Sequence, residues 1–357
     1  MKKSFTKIII LTMIIIPILL LILGGSYTWW NAANPEKTCA SCHEISPAHK
    51  TWTSSAHRDI SCFKCHGTAL ESGWHSFSEK TKMVFTHVKS APYADEIRMT
   101  EDQILATMDR CKMCHENEFA NWLASGHSAS YSDIFLDSVH NTTEQLNYDC
   151  LRCHGMFYEG TTDDLVDPIS IQGPWKIKDK TQEHLATIPC LTCHQIHSPG
   201  LPAISPDYAN PDLIFYGRAM QNNSIGLYVR HEKTHFDLTN LPRPVILQGN
   251  DTLQTPADPV YRLCVQCHAP SVWHQAGSSD DQTPAGVHEG ISCRACHEPH
   301  SNYQRNSCDK CHSDKSKNCK LDVRTMNTTY ISPASKNDIH RVACVDCHDK
   351  EFLKNKS

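Results

Sequence analysis

Cys293-Arg294-Ala295-Cys296-His297 and, after only ten residues, Cys308-Asp309-Lys310-Cys311-His312 dictate how this chain must fold. Two cysteines separated by two residues match the two vinyl positions of one porphyrin, and the histidine that follows is placed to bind the iron from below. Ten residues cannot carry the backbone far, so these two motifs lie close together. Outward from this pair the same pentapeptide recurs at Cys39, Cys42 and His43; Cys62, Cys65 and His66; Cys111, Cys114 and His115; Cys150, Cys153 and His154; Cys190, Cys193 and His194; Cys264, Cys267 and His268; and Cys344, Cys347 and His348. The nine copies use eighteen of the nineteen cysteines. Zinc ribbons or a disulfide framework would not put a histidine directly after the second cysteine in every copy. The chain is therefore read as carrying nine covalently bound haem c groups. Cys319, outside any motif, reads as a free thiol.

The bulk composition agrees with that reading. Of 357 residues only 39% are hydrophobic, which is lean for a chain of this size. Porphyrins, large and flat and apolar, supply the missing core, so short helices and loops wrap cofactors instead of one another. The expectation is a mainly α fold with much irregular structure, little strand and no large side-chain core. The formal charge of −5 becomes about −14 once two propionates per haem are set against each oxidised iron core, which argues against nucleic acid as a partner. Of 23 histidines nine belong to the motifs, and fourteen remain, enough for a second axial ligand on every iron.

Lys2, Lys3 and Lys7 precede an apolar run from Ile8 to Gly25, interrupted by Thr12 and Pro17. Eighteen residues lie at the lower edge of what spans a bilayer. Leu23-Gly24-Gly25-Ser26 is a poor cleavage site, and Tyr27, Trp29 and Trp30 resemble an interfacial aromatic belt. The run is thus expected to be a retained anchor (8–25), with a cytoplasmic tail (1–7) and everything beyond it exported. Export also suits eighteen cysteines awaiting haem attachment outside the cytoplasm.

The intervals between motifs are 18, 44, 34, 35, 69, 24, 10 and 31 residues, too irregular for a tandem repeat. The longest, 195–263, holds no haem and is either a structural insertion or a place where substrate or partner is handled. Helices are expected around 77–89, 100–113 and 116–124. The second begins with the capping box Thr100-Glu101-Asp102-Gln103 and leads into the third motif.

With these elements in place, the front of the chain resembles the NapC/NirT/NrfH family of membrane-anchored tetrahaem quinol dehydrogenases. The features are the anchor, Cys39 to His43, Trp52-Thr53-Ser54-Ser55-Ala56-His57, Cys62 to His66, a lysine-rich helix ending near His87, and Thr100 to His115; the resemblance covers roughly residues 5–155. It implies a tetrahaem domain (26–160) whose first haem, fourteen residues beyond the apolar run, sits at the membrane surface and takes electrons from menaquinol or another quinol. Lys80 and Lys82 fall where that family carries a lysine near the quinol pocket. Ile45 stands where some members bind the first iron through methionine, with His49 nearby, and Gly155-Met156 follows the fourth motif where part of the family places a histidine. Beyond residue 160, His184, Cys190 to His197 and His288 to His300 resemble octahaem and hydroxylamine-oxidoreductase-like cytochromes, giving a pentahaem region (161–357).

A distal ligand must reach an iron from the face opposite its motif histidine. His57, His184, His288 and His340 each precede a motif, His197 and His300 follow one, His127 repeats the small-residue context of His57, and His87 and His140 complete the set of candidates. His49, His75, His231, His235 and His274 form a weaker set, with His231 and His235 sharing a face if residues 228–236 were helical. Two functions remain open. One is an electron conduit of bis-histidine haems on the outer side of the cytoplasmic membrane, passing electrons from quinol to a periplasmic acceptor or reductase subunit. The other is a fused reductase in which one open haem acts on nitrite, hydroxylamine or a sulfur oxyanion, with Tyr228, Arg230, His231 and His235 at hand for a pocket.

Overall fold

The computed structural model describes residues 2–32, 40–67, 81, 84–85, 87–88, 99–198, 224–248, 250–268, 283–301 and 340. Cys39, His75, Lys80, Lys82, His274, Cys319, and the eighth (Cys308, Cys311, His312) and ninth (Cys344, Cys347, His348) motifs lie outside them. The chain divides into two compact units, 1–99 and 100–357.

In the first unit, helix α1 (Lys2–Ala32) exposes apolar side chains from Ile9 to Leu23, and its Ile9–Trp29 segment is long and apolar enough to cross a membrane or to serve as a signal sequence. Two short helices follow, α2 (Ser46–Trp52) and α3 (Cys62–His66), the latter formed by the second motif itself. Thr81, Val84, Phe85, His87 and Val88 are helical, as the expected 77–89 helix requires.

The second unit opens with α4 (Glu101–Lys112). The Thr100 N–H donates to Gln103 Oε1 at 2.8 Å, closing the capping box. Glu101 and Asp102 sit in its first turn and Arg110 and Lys112 in its last, matching the helix dipole, and Ile104, Thr107 and Met108 form its buried stripe. Next come α5 (Glu116–Leu123), α6 (Tyr131–Phe135), α7 (Ser138–Asn141), α8 (Cys150–Cys153) and α9 (Thr162–Leu165). Strands β1 (Val166–Asp167) and β2 (Lys176–Ile177) pair antiparallel. Tyr131, Phe135, Leu146, Leu151, Leu165, Val166 and Ile177 pack there into one small core.

Gly155 closes over that core in a conformation only glycine adopts readily, φ +144°, and an added Cβ would meet Leu151 Cδ2 at 2.7 Å. The residue after the fourth motif histidine is glycine for that reason.

Two further hairpins fill the haem-free interval: β3 (Gly226–Val229) with β4 (Thr234–Asp237), and β5 (Leu247–Gln248) with β6 (Asp251–Thr252). Residues 228–236 are thus a hairpin and not a helix. Tyr228, Val229, Thr234 and Phe236 are β-branched and aromatic residues suited to a pleated surface, and Lys233 turns the chain at φ 51°. Tyr228 and His235 are cross-strand partners, and His231 is exposed on the turn, so His231 and His235 share no helical face. Helices α10 (Pro259–His268) and α11 (Cys293–Cys296) complete the described elements. A second small core, Ile246, Leu253, Tyr261, Val265 and Ala285, lies beneath them. Among the described residues strands are few and short, as expected, and side-chain cores are small and separate.

Candidate haem sites

Each fully described motif folds as a single helical turn. The histidine N–H returns to the first cysteine's carbonyl at 2.9 Å in the third and fourth motifs, 3.1 Å in the fifth and 2.7 Å in the seventh. The second motif forms α3 and the sixth ends α10. One turn puts the first and second cysteines, three apart, on one face with the histidine beside them. That is the donor set a covalently attached porphyrin needs: two sulfurs and one imidazole.

The residues opposite these motifs complete the picture. An iron held between two imidazoles at about 2 Å from each ring nitrogen keeps the ring centres roughly 6 Å apart. Four motif histidines face a second histidine at about this separation. His43 and His87 have ring centres 5.5 Å apart, His127 and His268 6.1 Å, His194 and His300 6.0 Å, and His297 and His340 5.9 Å. In every pair one partner belongs to a motif and the other does not. The donors present therefore fit haem iron.

Orientation is set by the second nitrogen of the ring. His127 Nδ1 lies 3.2 Å from the Pro299 carbonyl, and donation there leaves Nε2 for a metal. Burial lowers the His127 imidazole below its ordinary value, and it does the same to His297. In the first unit His87 Nδ1 lies 2.6 Å from Glu44 Oε1, and His43 Nε2 lies 3.2 Å from the same oxygen. The His87 bond holds the Glu44 carboxyl below the ordinary carboxylate range. Glu44 is buried, and its Oε2 accepts no hydrogen bond. These three residues form the metal-capable cluster among the described residues, with ligand atoms within 4.8 Å of one another.

The cysteines pack across motifs. As free thiols, Cys153 and Cys264 are raised by their neighbours Cys267 and Cys293, which are lowered in turn. Burial raises Cys150 and Cys190, and pushes Cys193 up to about 12.

The other candidates are placed as follows. His57 and His127 share a local device, each backbone N–H donating to the hydroxyl of a serine two residues earlier, Ser55 at 3.1 Å and Ser125 at 3.2 Å. His288 ends a short 3-10 turn, Gly286–His288. His184 and His197 are exposed, and His140 sits 3.8 Å from Glu144. His49 packs against Trp52.

The haem-free interval braces the motifs. Gly226 N–H donates to the Cys193 carbonyl at 3.0 Å, Gln195 N–H to Ser224 at 2.8 Å, and Tyr228 stacks on Phe157 with ring centres 4.1 Å apart. Arg230 donates to the carbonyls of Tyr158 and Gly160, and His235 Nε2 lies 2.6 Å from the Leu191 carbonyl. Of the side chains that a pocket here would use, Arg230 and His235 are thus engaged with backbone carbonyls and Tyr228 is stacked on Phe157. Sequence reading named the distal candidates but neither their partners nor Glu44 and Pro299. A glutamate also follows the motif histidine at Glu116 and Glu298, so position alone does not single out Glu44.

Comparison with curated proteins and with solved structures returns no match. Residues 110–195 and 247–298 match the model of the family described as cytochrome c554 and c-prime, which takes in the third to seventh motifs and passes over the β3–β4 hairpin. That match supports a multihaem c-type cytochrome, with covalently bound haem c and electron transfer as its chemistry.

Proposed function

We propose that the chain is a membrane-anchored nonahaem conduit that takes electrons from quinol and passes them to a partner on the outer side of the cytoplasmic membrane. The observation that carries this reading is the facing of motif and non-motif histidines in four separate places. Bound haem supplies a one-electron iron couple, and an iron with both axial positions filled changes oxidation state without binding substrate. The chain's own residues do the rest. Cysteine pairs fix each porphyrin, and motif histidines give the proximal ligand. His87, His127, His300 and His340 close the distal side, and the Pro299 carbonyl and Glu44 orient two of those rings. The apolar α1 supports attachment to a bilayer. The resemblance of residues 5–155 to quinol dehydrogenases supports quinol as donor, and it implies Lys80 and Lys82 as the candidates for the quinol pocket.

The test uses the full-length protein in detergent. A menaquinol analogue is expected to raise a sharp α band, and carbon monoxide to leave the reduced spectrum unchanged. Reduction by dithionite but not by the quinol analogue overturns the quinol reading. Carbon monoxide binding would point instead to an open haem and a reductase.

A further inference from the structure

The sixth motif lies at a crossing of the second unit. Toward the fourth motif, Arg152 Nη1 donates to the Gln266 carbonyl at 2.7 Å. Toward the seventh, Asp258 at the head of α10 accepts the Ser292 hydroxyl at 2.6 Å at the start of α11. The opposite side of the site adds the fifth. His127, which faces His268, is held by the carbonyl of Pro299, in the short segment 297–300. That segment also supplies His297, facing His340, and His300, facing His194. Four residues thus serve three sites.

We infer that the site built on residues 264–268 is an electron junction, exchanging electrons directly with the sites at the fourth, fifth and seventh motifs. This deepens the electron-transfer reading above and rests on it. Motifs tied together this closely would hold their porphyrins side by side. An electron passed between two such sites oxidises one iron and reduces the other, with no bond made or broken. A junction suits a protein that must accept electrons singly and store several.

The experiment is electron paramagnetic resonance of the fully oxidised holoprotein carrying His127→Ala or His127→Met. His127→Ala removes the distal imidazole, making that one iron high-spin, and its larger moment should alter the low-spin signals of three further irons. His127→Met keeps six ligands and a low-spin iron, and should leave those three as in the wild type. Alteration of fewer than three neighbours by His127→Ala overturns the junction. So does the same alteration in both variants, which would mark a structural change. If the wild type itself shows no α band with dithionite, the electron-transfer reading fails first.

Discussion

The Tyr131 hydroxyl donates to Glu101 Oε1 at 2.5 Å, in a place where both side chains are shut off from solvent. Burial outweighs that bond and raises the Glu101 carboxyl above its ordinary 4.5. A group raised by folding lends stability that is full below its unfolded value and is lost as pH climbs through the folded one. Glu101→Gln is uncharged at every pH. Its stability relative to the wild type is therefore expected to be flat below pH 4.5 and to improve above it, as read by chemical unfolding of the holoprotein across pH. A difference independent of pH would contradict this. Neither the bond nor the burial of the carboxylate was legible in the sequence, because Glu101 reads there as an ordinary first-turn acid of a helix. His127 shows the same limit: its neighbours named it a ligand, but its partner His268 is brought up only by tertiary packing.

Among elements, local signals were the most legible. The capping box at Thr100 set the start of α4, and each fully described motif forms its own helical turn. The haem-free hairpin was not legible, since two histidines four apart suit a helix as well as a strand pair until the β-branched flanks are weighed. Asp258 shows how elements are joined. Its Oδ1 accepts the Val260 N–H at 3.0 Å at the start of α10, and its Oδ2 accepts the Ser292 hydroxyl at 2.6 Å at the start of α11. One buried carboxylate thus ties the helix of the sixth motif to that of the seventh. Asp258→Ala strands both donors and is expected to cost about 1–3 kcal/mol, measured by urea unfolding of the holoprotein. A loss well under 1 kcal/mol would mean the link is dispensable.

For the molecule as a whole, the spacing of cysteines and histidines made the cofactor class legible, and the lean composition foretold small, scattered cores. What spacing could not supply was which sites share a geometry. The ring planes of His194 and His300 differ by 18° and those of His297 and His340 by 11°, against 53° for His43 and His87 and 54° for His127 and His268. Plane angle governs how the iron d orbitals split, so the oxidised protein is expected to give two families of low-spin signals, the oblique pairs showing the larger maximum g value. A single family would contradict these orientations. The β3–β4 hairpin, whose Gly226 N–H is bonded to the Cys193 carbonyl, also bears on how such a chain is made. It follows the fifth motif in sequence, so porphyrin can be fastened to Cys190 and Cys193 before the strands that brace them are in place.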